Sequence, residues 1–353
     1  MAQLFIENSR IAGIACTVPK HSVSTEETGA ALGMGDMRRI LQMTAIERRP
    51  VAAPEVCASD LCADAAGRLL EALGWRPESV EALIFVSQTP DYILPATACS
   101  LQKRLGLSSG AACFDINLGC SGYVYGLSTA MSLVEGGVTR ALLLVGDTLS
   151  KIVCPQDRAT ALLFGDIGSA TAIEKGTGRY SFVLGSDGHG GPFLKVPAGQ
   201  SREMPTEANA LTVEMEGGNI RSRQHLYMDG AAVMAFTLRE VPPIFDRLLQ
   251  ISGLNRDELD AIVLHQANQF ILDTLARRMK LPKEKIPSSL RDLGNTSCAS
   301  LPATISSCLR EKLSQESMRL AMIGFGVGWS WGGCIGTFGP MVLPEIGFYE
   351  NAR

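Results

Sequence analysis

The chain alternates between two rhythms of apolar and polar positions. Ala82-Leu83-Ile84-Phe85-Val86, Ala141-Leu142-Leu143-Leu144-Val145, Ala261-Ile262-Val263-Leu264 and Leu320-Ala321-Met322-Ile323 are short, unbroken apolar runs. Runs of this length without polar alternation predict strands buried on both faces. Helix-period segments at 96–105, 123–134 and 270–279 lie between them. Strands alternating with helices of this length predict an α/β fold, with mixed, mostly parallel sheets and helices on both faces.

The pattern occurs twice. Ala82 and Ala261 open equivalent strands, and Arg140 and Arg319 precede another equivalent pair; each pair is 179 residues apart. Helical segments follow both first strands, and Gly119-Cys120-Ser121 matches the neighbourhood of Gly294-Asn295-Thr296-Ser297. The chain therefore reads as two pseudo-twofold-related halves, 1–176 and 177–353, divided near the turn Lys175-Gly176-Thr177-Gly178. Residues 197–226 break the rhythm. They are polar and aperiodic, with Pro197, Pro205 and Gly217-Gly218, and read as an insertion in the second half.

Bulk properties narrow the function. A net charge of −4 argues against nucleic acid or an anionic membrane as the main partner. No stretch approaches the roughly 20 apolar residues of a membrane span. The ten cysteines include no Cys-x-x-Cys pair, which removes zinc-ribbon and thioredoxin readings. No signal peptide is evident, and a reducing, cytoplasmic setting fits the free thiols.

One cysteine stands apart. Cys120 follows the strand-like run Phe114-Asp115-Ile116 and opens a helical segment. Unpaired N–H groups and the helix dipole at such a position favour thiolate, predicting a nucleophile. Of the four histidines, His265 stands at the end of an apolar strand, where open α/β sheets bind ligands. By itself it is more readily a hydrogen-bonded core residue. Asn295 alone is equally a turn or cap residue. The repeat puts Cys120 and Asn295 on equivalent turns, so pseudo-twofold folding would bring them together.

Asn117-Leu118-Gly119-Cys120-Ser121-Gly122, His265-Gln266-Ala267-Asn268 and Gly294-Asn295-Thr296-Ser297-Cys298-Ala299-Ser300 resemble the three active-site motifs of β-ketoacyl-ACP synthase III, in the thiolase superfamily. Pro155-Gln156-Asp157-Arg158, Phe164-Gly165-Asp166 and Gly324-Phe325-Gly326-Val327-Gly328-Trp329-Ser330-Trp331 extend the resemblance over nearly the whole chain. It implies a thiolase-like, five-layer αβαβα fold and a homodimer. It also implies a Cys120-His265-Asn295 triad, with N–H groups of Cys120 and Val327 as the oxyanion hole. Cys120 would take an acyl group from an acyl-CoA or acyl carrier protein, and decarboxylative Claisen condensation with a malonyl carrier protein would follow. CoA or phosphopantetheine thioesters would be substrates, and no cofactor or metal is required. The motif segments place no Asp or Glu beside the triad, which suits an enolate. Gly324–Gly328 lacks the following helix of a dinucleotide fingerprint.

The chain departs from the family pattern at several positions. Val327 stands where relatives usually carry Gly. In the CoA site, Arg39 and Met43 replace the usual pair, while Arg158 and Asn268 match. Leu94 replaces a Phe that reaches across the dimer into the acyl site. On the carrier-docking segment Phe270 replaces an Arg, and Arg277, Arg278 and Lys280 remain. These differences suggest a specialised relative with a longer or different acyl group. Two alternatives stay open: an acyltransferase passing the Cys120 acyl group to an alcohol or amine, and a non-catalytic partner subunit.

Overall fold

A computed structural model describes residues 1–350. Ten strands form one twisted sheet: β1 (Ala2–Pro19), β2 (Ala82–Val86), β3 (Ala112–Ile116), β4 (Arg140–Asp147), β5 (Ile167–Lys175), β6 (Gly178–Ser186), β7 (Ala261–Leu264), β8 (Met318–Gly326), β9 (Ser330–Phe338) and β10 (Gly347–Tyr349). Their spatial order is β7-β8-β9-β6-β1-β5-β4-β2-β3, with β10 beside β1. Outward from the middle, β1-β5-β4-β2 and β6-β9-β8-β7 follow the same plan. The segment corresponding to β3 carries no strand. It contains Pro287, which has no N–H for a ladder. The buried Gln266 amide serves instead, accepting from Ser289 N at 3.1 Å and donating to Leu264 O at 2.7 Å.

The halves share their first strand. Ala2–Ile6 pairs with β6, and Ser9–Thr17 pairs with β5. The sheet is less parallel than the sequence rhythm predicts, since five of its nine strand pairings are antiparallel. Connection length explains this. Only Val327-Gly328-Trp329 separates β8 from β9, far too few residues for a parallel crossover. The glycine-rich run is thus a hairpin tip.

Three apolar cores separate the layers. Helices α1 (Ala58–Leu73) and α2 (Thr97–Arg104) cover the outer face of the first half. Helices α4 (Gly230–Ser252) and α5 (Gln269–Arg278) cover that of the second. Between the two sheet halves run α3 (Gly122–Glu135) and the helical stretch from Ser300. Helix α3 contacts strands of both halves and buries Tyr123, Val124, Leu127, Ala130, Met131 and Val134, so it is apolar nearly all round. The stacking is αβαβα.

Residues 197–226 form the short helix Glu207–Ala210 and a hairpin of Val213–Met215 with Asn219–Arg221. Just before this segment, Phe193 stacks on Trp329 at 6.1 Å, and Phe236 stacks on Trp329 at 4.6 Å.

Leu127 is fully buried in the middle layer. Leu127→Ala should destabilise the fold by about 2–5 kcal/mol. Phe348→Ala, at a 67% exposed site, should cost under about 0.5 kcal/mol. Denaturant midpoints of the two variants check the contrast.

Candidate active site

Strand ends and turns carry the candidate residues. β3 leads through Asn117-Leu118-Gly119 to Cys120, two residues ahead of the first residue of α3. β7 ends at Leu264, and His265 follows, its backbone N–H bonded to Ile323 O at 2.9 Å. Asn295 is fixed through its backbone, with its N–H on Leu163 O at 2.9 Å and its carbonyl accepting from Gly165 N at 3.1 Å. Gly294 precedes it at φ +64, where a Cβ would lie 2.8 Å from Leu163 O and 2.9 Å from Arg49 Cγ. Only glycine fits both the backbone angle and the space.

Ser297 joins the three. Its N–H donates to Asn295 Oδ1 at 2.9 Å. Its side chain lies close enough to the Cys120 sulfur, and its backbone close enough to the His265 ring, to shift the proton affinity of each. Ser297 adopts φ +50, a left-handed conformation uncommon for a non-glycine residue. The Asn295 side chain holds it there. Backbone strain of this kind persists only where surroundings over-determine it, and it clusters at functional sites.

The β8–β9 hairpin closes the other side of Cys120. Gly326 lies against the nucleophile, and a Cβ there would be 2.7 Å from Cys120 Sγ. The Val327 N–H faces the sulfur and favours its charged form. A hydroxyl relay fixes the hairpin to the nucleophile loop: Ser121 Oγ and Ser330 Oγ are 2.6 Å apart, and Ser330 Oγ donates to Val327 O at 2.7 Å. The Val327 side chain packs over Gly119.

The electrostatics correct two expectations. Burial pushes the Cys120 thiol up to about 11, and the Asp147 carboxylate adds to the rise. The N–H groups of Val327 and Cys120 and the Ser297 side chain pull the other way, and burial wins. The resting site therefore holds a thiol rather than a favoured thiolate. The second correction is Asp147 itself, a buried acid near the sulfur that the motifs do not reveal. It accepts from Ser87 Oγ at 2.9 Å, Gln88 N at 2.8 Å and Cys298 Sγ at 3.1 Å. Burial also pushes His265 down to about 3, so its imidazole is neutral; Nδ1 lies 2.8 Å from Ser300 Oγ.

A cavity of about 700 Å³ opens onto Cys120, Ser297 and Val327. Its wall also includes Phe85, Leu149, Ile152, Phe164, Leu194 and Leu226, with Tyr92, Ile93, Lys195 and Arg202. His265 and Asn295, 2% and 6% exposed, form the layer that Ser297 contacts.

The other sequence candidates lie off this wall. Arg39 and Met43 stand exposed on the helix Met37–Thr44, which packs against α5. Arg158 is exposed, and its Nη2 donates to Leu32 O at 2.8 Å beside the excursion's Gly218. Asn268 caps α5, accepting from Ile271 N at 2.9 Å. Leu94 is 79% exposed, although its neighbours Tyr92 and Ile93 reach the cavity. Phe270, Arg277, Arg278 and Lys280 are all exposed along or just beyond α5. Ser297, Ser300 and Asp147 escaped individual notice in the sequence. The two serines sit within a quoted motif, and Asp147 ends an apolar strand, a position that flags ligand-side residues in such sheets.

Fold and site together define a thiolase-fold protein with a cysteine centre. The model of 3-oxoacyl-[acyl-carrier-protein] synthase III matches residues 114–188, and that of its C-terminal part matches residues 249–338. A putative 3-oxoacyl-[acyl-carrier-protein] synthase 3 of Campylobacter jejuni is 32% identical over 98% of this chain and 99% of its own. A β-ketoacyl-[acyl-carrier-protein] synthase III of Caldanaerobacter subterraneus is 37% identical over 83% of this chain and 86% of its own. The crystal structure of a 3-oxoacyl-(acyl-carrier protein) synthase from Burkholderia xenovorans LB400 superposes with a TM-score of 0.92, at 42% identity and 98% coverage of both chains. The chain belongs to the 3-oxoacyl-[acyl-carrier-protein] synthase III family.

The raised thiol has a kinetic signature. Alkylation of Cys120 by iodoacetamide should quicken about tenfold per pH unit from 7 to 10, because the thiolate fraction keeps rising below about 11. A plateau near pH 8.5 would contradict the burial argument. Asp147→Asn should move the profile to lower pH by removing a negative charge.

Proposed function

We propose that this chain is a condensing enzyme of the 3-oxoacyl-[acyl-carrier-protein] synthase III type. Cys120 accepts an acyl group from a thioester, and the acyl-enzyme then condenses with a malonyl thioester as CO2 leaves. The observation that carries the reading is the turn at Ser297, which contacts Cys120, His265 and Asn295 at once.

In the loading step, the Cys120 sulfur attacks the thioester carbonyl and the donor thiol departs, carrying away the proton that the cysteine loses. Donors fixed before reaction stabilise the developing oxyanion without reorganising. In this reading they are the N–H groups of Cys120 and Val327, the two backbone donors at the sulfur. In the second step, loss of CO2 from the malonyl thioester leaves an enolate. His265 and Asn295 supply it with neutral hydrogen-bond donors. A hydrogen bond from the Ser300 hydroxyl to Nδ1 would set the tautomer with its proton on Nε2. An imidazole pushed down to about 3 keeps one donor form across the working pH range. The enolate carbon then bonds to the acyl carbon and the bond from that carbon to the Cys120 sulfur breaks; the 3-oxoacyl thioester departs on its carrier, and the Cys120 thiolate takes a proton from water.

CoA and phosphopantetheine thioesters enter this scheme as substrates, and no cofactor takes part. The cations Arg277, Arg278 and Lys280 suit an acidic carrier protein. A second copy of the chain would cover Tyr92, Ile93 and Leu94, which are 66%, 76% and 79% exposed. Among the described residues no helix is long and apolar enough to cross a membrane. A cytoplasmic setting is part of the same reading.

Acyl-CoA plus malonyl carrier protein should yield CO2 and a 3-oxoacyl carrier protein, read by mass spectrometry. His265→Ala and Asn295→Ala should each lower this turnover about 10²–10³-fold while acyl loading of Cys120 persists. Cys120→Ala should abolish loading. Loading without CO2 release, with the acyl group passing to an alcohol or amine, would overturn the condensation reading.

A further inference from the structure

The cavity that opens on Cys120 is not uniformly apolar. Its wall includes Phe85, Leu149, Ile152 and Phe164, but it also carries two cations, Arg202 from the excursion and Lys195 just before it. Neither takes part in a salt bridge among the described residues. The other charged side chain on the wall is Asp115, already committed to capping α2, with Thr97 N at 2.7 Å and Ala98 N at 2.8 Å. The wall therefore carries two cations without a bound counter-charge against one acid whose oxygens are engaged.

The placement of Arg202 is built into the fold. Gly199–Glu203 is a tight turn, closed by Gly199 N on Glu203 O at 2.8 Å and Glu203 N on Gln200 O at 3.1 Å. Arg223 grips the carboxylate of Glu203 with both arms of its guanidinium, at 2.8 and 2.6 Å. Ala198 N bonds Arg223 O at 2.9 Å. Glu203, whose carboxylate also feels the Lys195 charge, is thus held by Arg223, and the tip residues Gln200, Ser201 and Arg202 face the cavity. Lys195 sits in a two-residue ladder opposite Tyr227, whose preceding residue Leu226 is also on the wall.

We propose that the primer loaded on Cys120 is the monothioester of a dicarboxylic acid, its free carboxylate received by Lys195 and Arg202. This rests on the thioester-loading reading above and specifies its substrate class. The methylene chain lies along the apolar wall, and the terminal carboxylate meets the two cations at its end. Loading stays balanced: the cysteine sulfur bonds the acyl carbon, the bond to the CoA sulfur breaks, and the proton of Cys120 leaves on the CoA thiol. The same cations could instead meet the phosphates of the thioester carrier. Both ligands are anions, and the experiment separates them.

Intact-mass measurement of initial loading rates should compare ω-carboxyacyl-CoAs of four to ten carbons with the unsubstituted acyl-CoAs of equal length. The best dicarboxylic primer should load about tenfold faster than its monocarboxylic counterpart at low salt. The advantage should shrink as ionic strength rises. Arg202→Gln and Lys195→Gln should reduce that ratio, with thermal melts reporting on folding. Equal rates for the two series, or losses that fall equally on both in the variants, would overturn the proposal; equal losses would assign the cations to the carrier phosphates. If no thioester of either series adds mass at Cys120, the proposal and the loading reading both fail. Loading with a ratio near one removes the proposal alone.

Discussion

The site depends on one strained residue held in place by one amide. Ser297 stands at φ +50 because Asn295 Oδ1 accepts its N–H. In that conformation the serine contacts the Cys120 sulfur and the His265 ring together. Asn295 is itself fixed by backbone bonds to Leu163 and Gly165, and Gly294 makes the approach possible. The convergence is therefore a backbone event first and a side-chain event second. It is supported from the other side by the hairpin tip at Val327, tied down through Ser330 and Ser121.

Burial gives the site its chemical character. It raises the thiol, lowers the imidazole and keeps both groups neutral at rest. Neutral donors suit a step in which an enolate must be stabilised by hydrogen bonds. The same burial leaves little thiolate at neutral pH. Asp147 deepens that restraint, and its hydrogen bonds to Ser87 and Gln88 also anchor the strand end from which the cavity loop departs.

Much of this was legible in the sequence, for identifiable reasons. Unbroken apolar runs gave the buried strands, and the helical segments fell within a residue of α2, α3 and α5. The residues after Gly328 enter the second arm of a hairpin, in keeping with the lack of a helical pattern there. The proportion of parallel pairing was misjudged because apolar runs report burial and carry no strand direction. The thiolate expectation failed because a position near a helix end says nothing of how deeply the sulfur is enclosed. The influence of Asp147 on Cys120 is not readable from the sequence, since it joins the end of β4 to the turn after β3. The roles proposed for His265 and Asn295 rest on motif and geometry together, and neither residue type suggests them alone.

The central claim is that His265 and Asn295 act on one developing charge through a shared turn. A double-mutant cycle on malonyl decarboxylation tests it most directly, comparing His265→Ala, Asn295→Ala and the double variant. Groups that act as a unit give strongly non-additive losses. The account predicts a double variant little slower than the worse single one. Losses that multiply in full would show two independent effects and contradict it.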